Sequence, residues 1–103
     1  MSVVLLVEYT TGHTRSVPVA TESVFQNSWL PVCKSLNLSW VQLFQSGLPL
    51  MKDDLPLVLT ELVRFETWVR SNTSDTELAD RALSLSKALS DVDFSTVTSV
   101  YIG

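Results

Sequence analysis

The longest regular pattern in the chain runs from residue 53 to residue 92 and reads DDLPLVLTELVRFETWVRSNTSDTELADRALSLSKALSDV. Either Asp53 or Asp54 can cap a helix, and Pro56 is tolerated in a first helical turn. Apolar residues then recur three and four positions apart, which predicts a helix with one broad apolar face. The residues of that face are Leu55, Val58, Leu59, Leu62, Phe65 and Val69.

A second helical pattern follows the short connection Ser71-Asn72-Thr73. A connection of this length predicts a helix that runs antiparallel to the first. The tetrapeptide Ser74-Asp75-Thr76-Glu77 has the residue types of a capping box, which marks a helix start. Residues 53–92 therefore predict a helical hairpin. The second helix has a narrow apolar stripe with 4-3-4-3 spacing, formed by Leu78, Ala82, Leu85, Leu89 and Val92.

Four shorter segments have the composition of strands. Residues 3–9 are apolar on both alternation phases, so we expect a strand that is buried on both faces. Residues 16–19 predict a second strand, which belongs at a sheet edge because Pro18 cannot donate a hydrogen bond. Residues 40–44 and 96–102 predict the third and fourth strands.

A further helix is predicted between the second and third strands. Thr21 can cap it, Pro31 should kink or break it, and Asn37 can end it. Its apolar residues recur three and four apart and include Phe25, Trp29, Val32, Cys33 and Leu36.

The element order β-β-α-β-α-α-β predicts a single α+β domain over residues 1–103. A four-stranded mixed or antiparallel sheet, with the helices layered on one face, fits this order best. The opposite face of such a sheet would expose apolar side chains, and a second copy or a partner protein would then cover them.

Composition excludes several functional classes. The 103 residues are 46% hydrophobic and 17% charged, which excludes a disordered chain, and no apolar run is long enough to span a membrane. The net charge of −4 has the wrong sign for phosphate neutralisation, so we expect no nucleic-acid partner. Glu8 ends the N-terminal apolar run too early for a secretory signal, and Cys33 is a lone thiol, so we expect a cytoplasmic protein.

The residues that could carry chemistry are few. One His and one Cys cannot form a metal cluster, and we expect neither a metal nor another cofactor. Cys33 lies on an apolar stripe and His13 in a turn without an orienting acid, so this pair does not predict a nucleophile. Glu66 precedes Arg70 by four positions, which favours a structural ion pair over acid–base catalysis. We therefore expect a binding protein. A small hydrolase or transferase that uses Glu66 ranks third, after the two binding functions described below.

Candidate partner-binding residues lie on the predicted hairpin. Trp68 and Leu57, with Glu61 and Arg64 near them on the first helix, could form an exposed anchor, although Trp68 could equally pack on the next helix or on a dimer mate. Acidic side chains at or near the helix ends would steer a basic partner to this surface. These are Asp53, Asp54, Glu61, Asp75, Glu77 and Asp80.

Two segments carry a resemblance to a known class of proteins. The stretch WVQLFQSGLPL at 40–50, followed by DLPLVLTEL at 54–62, resembles small acidic bacterial immunity proteins of polymorphic-toxin systems. The resemblance extends in size, acidity and layout over the whole chain. It implies an inhibitor that neutralises a cognate toxin by binding a basic toxin domain. The alternative is a homodimeric structural or accessory protein whose N-terminal half, which has no net charge, forms the self-interface.

Overall fold

The computed structural model describes residues 2–103. Its four strands form one sheet with the order β2-β1-β4-β3, and every pairing is antiparallel. The α+β class and the predicted element order are therefore confirmed, and the sheet is antiparallel rather than mixed. The strands are β1 (Ser2–Tyr9), β2 (Thr14–Thr21), β3 (Leu48–Pro49) and β4 (Val97–Ile102).

The central strand β1 is buried on one face only. Val3, Leu5 and Val7 are at most 1% exposed and point into the core, whereas Val4 and Leu6 on the opposite face are only half-buried. The prediction of burial on both faces was wrong, because all the helices lie on one side of the sheet. β2 is the predicted edge strand, and it carries Pro18 exposed.

The first helical segment is continuous and changes its pitch instead of breaking. It comprises α1 (Glu22–Val24), a π-helical turn (Phe25–Trp29) and α2 (Leu30–Leu36). The Thr21 hydroxyl accepts a hydrogen bond from the Val24 amide at 3.1 Å, so the predicted cap is confirmed. Pro31 supplies no N–H, and the wider π turn directly before it fits this loss. The segment ends at Asn37, which adopts a left-handed conformation with φ 54°.

The predicted third strand at residues 40–44 was wrong. This segment is a 3₁₀ helix (Val41–Ser46), and the strand β3 begins later, at Leu48. Val41 and Phe44 are buried and lie three positions apart, so the apolar run also fits a 3₁₀ period. Glu61 holds the start of this helix through hydrogen bonds from its first amides.

The hairpin predicted from residues 53–92 is confirmed. The predicted cap by Asp53 or Asp54 was wrong, because Asp54 directly precedes the helix but its carboxylate accepts from the Met51 amide at 3.0 Å instead of from a helix amide. A 3₁₀ turn (Lys52–Asp54) leads into α3 (Leu55–Asn72), and three residues connect α3 to α4 (Thr76–Ser90). The cap of α4 is Asp75, whose carboxylate accepts from the Leu78 amide at 3.1 Å, so the helix begins one residue later than a Ser74 cap would place it. Both predicted apolar stripes face the core.

An aromatic stack joins the helices at the centre of the core. Trp29 lies between Phe25 and Phe65, with ring centroids 5.6 Å and 4.6 Å away, and all three side chains are fully buried. Stacking adds to the large apolar area that such rings bury. Among residues 2–103, no helix combines the length and the apolar character that a membrane span requires.

Candidate functional site

The structure places Glu61 in the interior, although the sequence suggested a surface acid. It is only 9% exposed, and its carboxylate accepts backbone N–H bonds from Ser39, Trp40 and Val41 at 3.1, 2.9 and 3.0 Å. The Ser39 hydroxyl donates a fourth bond at 3.3 Å. Buried carboxylates need such donors. Glu61 therefore anchors the 3₁₀ helix to α3, and it is not available to a partner.

The remaining predicted acids fall into two groups at opposite ends of the hairpin. Asp53 and Asp54 precede α3, whereas Asp75, Glu77 and Asp80 lie around the start of α4. The 18 residues of α3 separate the groups by about 27 Å. The structure therefore does not bring all of these acids into one cluster.

The predicted aromatic anchor is not a free surface group. Trp68 is half-buried and packs against the core, while Leu57 is 52% exposed. The two residues lie eleven positions apart on α3, or about 16 Å along its axis, so they do not form one patch. Arg64, between them, donates to the Leu36 carbonyl at 3.1 Å.

A cleft of about 540 Å³ opens between the end of β2 and the start of α4, and we call it the β2–α4 cleft. Val19, Trp29 and Leu78 contribute to its apolar lining, and Val24 beside them is 46% exposed. Asp75, Glu77 and Arg81 also line it, and all three are exposed. The cleft thus brings two of the predicted partner-binding acids together beside an apolar surface.

The charged side chains near the turn of the hairpin differ in whether they form ion pairs. Arg70 donates to Glu66 at 2.8 Å and to Asp80 at 2.9 Å, which confirms the predicted Glu66–Arg70 pair and extends it to α4. These bonds, that to Glu66 first, raise the pKa of Arg70. Within residues 2–103, Glu77 and Arg81 form no ion pair. These two charges can therefore face a ligand without first breaking a salt bridge.

Sequence reasoning identified the acids of this cleft but missed Arg81 and Val24. Arg81 follows Glu77 by four positions, so the helical period places both on the same side of α4. Val24 follows the Thr21 cap and lies outside the apolar stripe of its own helix. An apolar residue outside the stripe is expected to be exposed, so the sequence did contain a signal for Val24.

A second cleft, of about 420 Å³, lies between the start of α3 and the connection from α4 to β4. Leu55, Leu59 and Phe94 are among its apolar residues, and Lys52 and Asp93 supply its charges. Hydrogen bonds from the Ser95 hydroxyl and amide, with the charge of Lys52, lower the pKa of Asp93. The Asp93 carboxylate thus accepts hydrogen bonds within its own turn. This cleft therefore has fewer charged groups available to a ligand than the β2–α4 cleft.

The thiol does not have the surroundings of a nucleophile. Cys33 is 1% exposed, and burial, followed by the negative charge of Glu61, raises the pKa of its thiol to about 12. His13 lies in the exposed turn between β1 and β2. Across residues 2–103, no three His, Cys, Asp or Glu side chains are grouped as metal ligands.

Comparison of the chain with known protein families, with curated proteins and with solved structures found no match. The functional proposal therefore depends on the residues and geometry described above.

Proposed function

We propose that this chain is a non-enzymatic binding protein, and specifically an immunity-type inhibitor that neutralises a cognate toxin in the bacterial cytoplasm. The observation that carries this proposal is the juxtaposition of Asp75 and Glu77 with the apolar lining of the β2–α4 cleft. A protein partner with a basic surface complements both properties.

The chemistry of the cleft selects a Lys or Arg side chain of the partner. The aliphatic stem of such a side chain would contact the exposed Val24, and its charged end would bind the carboxylates of Asp75 and Glu77. Arg81 on the same cleft repels a cation placed near it. The incoming cation is therefore directed toward the two acids and away from Arg81.

The other predicted residues have smaller roles in this proposal. Asp53, Asp54 and Leu57 lie at the far end of α3, so they contact only a partner that extends along the hairpin. A standard interface covers about 800 Å² per partner, which is wide enough for such an arrangement. Asp80 contributes charge, although Arg70 already neutralises part of it.

Affinity capture from the native host's lysate tests the proposal, with the wild-type chain and two matched variants as baits. D75N/E77Q removes two charges at the cleft and keeps a capping residue at position 75, since Asn caps helices as well as Asp does. E8Q/D91N removes the same number of charges from exposed positions on the sheet and at the end of α4. Each bait is used at about 50 mM and 500 mM salt, which separates screened from contact interactions.

We expect one basic protein in stoichiometric amount with the wild-type chain and with E8Q/D91N, and much less of it with D75N/E77Q. That protein should be toxic when expressed alone, and co-expression of the wild-type chain should suppress its toxicity. Equal recovery with all three baits would refute the assigned surface. Recovery of no stoichiometric partner, or of a partner without toxicity, would refute the immunity function.

A further inference from the structure

The face of the sheet opposite the helices has a partly exposed apolar surface that the binding function above does not use. We propose that this surface binds a second copy of the chain and forms a weak, symmetric homodimer. We call it the outer sheet face, and it consists of Val4, Leu6, Pro49 and Tyr101. No element among residues 2–103 covers it.

The strand register makes these side chains contiguous. Leu6 on β1 is opposite Tyr101 on β4, and Tyr101 is in turn opposite Pro49 on β3. Val4, two positions before Leu6, exchanges two backbone hydrogen bonds with Gly103, at 3.2 and 3.0 Å. The four residues of the outer sheet face therefore form one patch across three neighbouring strands.

Tyr101 is fixed in this patch by two glycines. A Cβ atom at Gly103 would lie 2.6 Å from the Tyr101 hydroxyl, and one at Gly47 would overlap that oxygen. The ring therefore lies against the backbone of both residues, in space that any larger residue would fill. An aromatic ring held in this way loses little conformational freedom when a second surface packs on it.

The distribution of charge favours a second copy of the chain as the occupant over a basic partner. Glu8 is the charged residue on the side of β1 that carries Val4 and Leu6. It lies beyond the apolar patch, beside Thr14 and Ser99. The helices pack on the buried face of β1, so their acids lie on the other side of the sheet. Two outer sheet faces can thus approach without placing like charges against each other, whereas a basic partner would find little to bind there.

The area of the face sets the expected strength of the dimer. The four strands contain 24 residues between them, and at usual strand spacings they span roughly 400 Å² of flat surface. A standard stable interface needs about 800 Å² per partner. We therefore expect a transient dimer that forms at high protein concentration.

Sedimentation equilibrium of the full chain between about 10 µM and 1 mM, a range that detects weak interfaces, tests this inference. We expect the average mass to rise from that of one chain toward that of two. L6K and L6E should both remain monomeric, which separates loss of the apolar face from a change in net charge. V63K is the matched control, because Val63 is 57% exposed on α3 and distant from the sheet.

Because Leu6 is on the central strand, a charge there can also destabilise the fold. P49K therefore provides a second test, at an exposed position on the short strand β3. Circular dichroism checks that each variant is folded. A wild-type chain that stays monomeric at 1 mM overturns the inference, as does a dimer that persists in folded L6K and P49K. D75N/E77Q should dimerise like the wild type, so failure here and failure of the proposed function are distinguishable.

Discussion

Replacing Glu61 with Ala should destabilise the fold more than any other single acidic substitution. The change leaves the Ser39, Trp40 and Val41 amides without their acceptor, and Val41 is fully buried. Hydrogen bonds to a charged group contribute about 1.5–3 kcal/mol each, and water can replace the acceptor at the exposed Ser39. Counting the two bonds from Trp40 and Val41 gives a loss of about 3–6 kcal/mol.

Urea unfolding measures this loss directly. With a slope of about 2 kcal/mol per molar, the midpoint should fall by roughly 2 M in E61A. E61Q keeps one carbonyl acceptor but lacks the charge, so its loss should be smaller, at about 2–3 kcal/mol. E77A removes an exposed acid and should change the free energy of unfolding by no more than about 0.5 kcal/mol.

Hydrogen exchange provides a local readout of the same contact. The amides of Trp40 and Val41 should exchange faster in E61A by more than the global destabilisation explains, because their acceptor is gone. A free energy of unfolding for E61A within about 1 kcal/mol of the wild-type value would refute the anchoring role of Glu61.

Three further predictions concern the thiol, the turns and the surface ion pairs. Cys33 should react with a thiol reagent at pH 9 no faster than the chain unfolds. Because folding raises the pKa of its thiol from 9.0 to about 12, the contribution of Cys33 to the free energy of unfolding is full below pH 9 and is lost as the pH rises toward 12. G47A should lower the free energy of unfolding, measured by thermal unfolding, by about 1–2 kcal/mol more than G12A does. Both positions have a positive φ, but only a Cβ atom at Gly47 would overlap Tyr101. Equal losses in the two variants would contradict that packing. R70A should cost about 1 kcal/mol or less by urea unfolding, since its pairs are exposed, and a larger loss would show a structural role.

The sequence predicted the helices well because their patterns are long and redundant. The hairpin of α3 and α4 has two apolar stripes, a proline in the first turn and an acidic cap, and each of these signals indicates the same structure. The strand β1 was equally clear in type. Its burial was not, because whether Val4 and Leu6 are covered depends on how many layers pack on the sheet.

The third strand was missed because its signal was ambiguous. The run from Trp40 to Phe44 is apolar enough for a strand, and a short run does not distinguish a period of two from a period of three. A long-range contact decides the outcome, since Glu61 accepts the first amides of the 3₁₀ helix from 20 positions away or more. The same contact removes Glu61 from the predicted binding surface.

The candidate site was predicted only in part, for a related reason. Caps and charge patterns are local, so Asp75 and Glu77 could be proposed as exposed acids from sequence. The cleft beside them depends on how β2 lies next to α4, which requires the tertiary fold. The distance between the two acidic groups likewise follows from the length of α3 once both helices are in place.

The most direct test of the proposed function is the association rate of the captured toxin with the wild-type chain as a function of ionic strength. If Asp75 and Glu77 steer a basic partner, the wild-type rate should fall steeply with salt. At low salt the D75N/E77Q rate should be about tenfold slower and nearly independent of salt. E8Q/D91N should stay within about a factor of two of the wild type, because its charges lie far from the cleft. Identical rates and salt slopes for all three proteins would contradict the assignment of this cleft as the binding site.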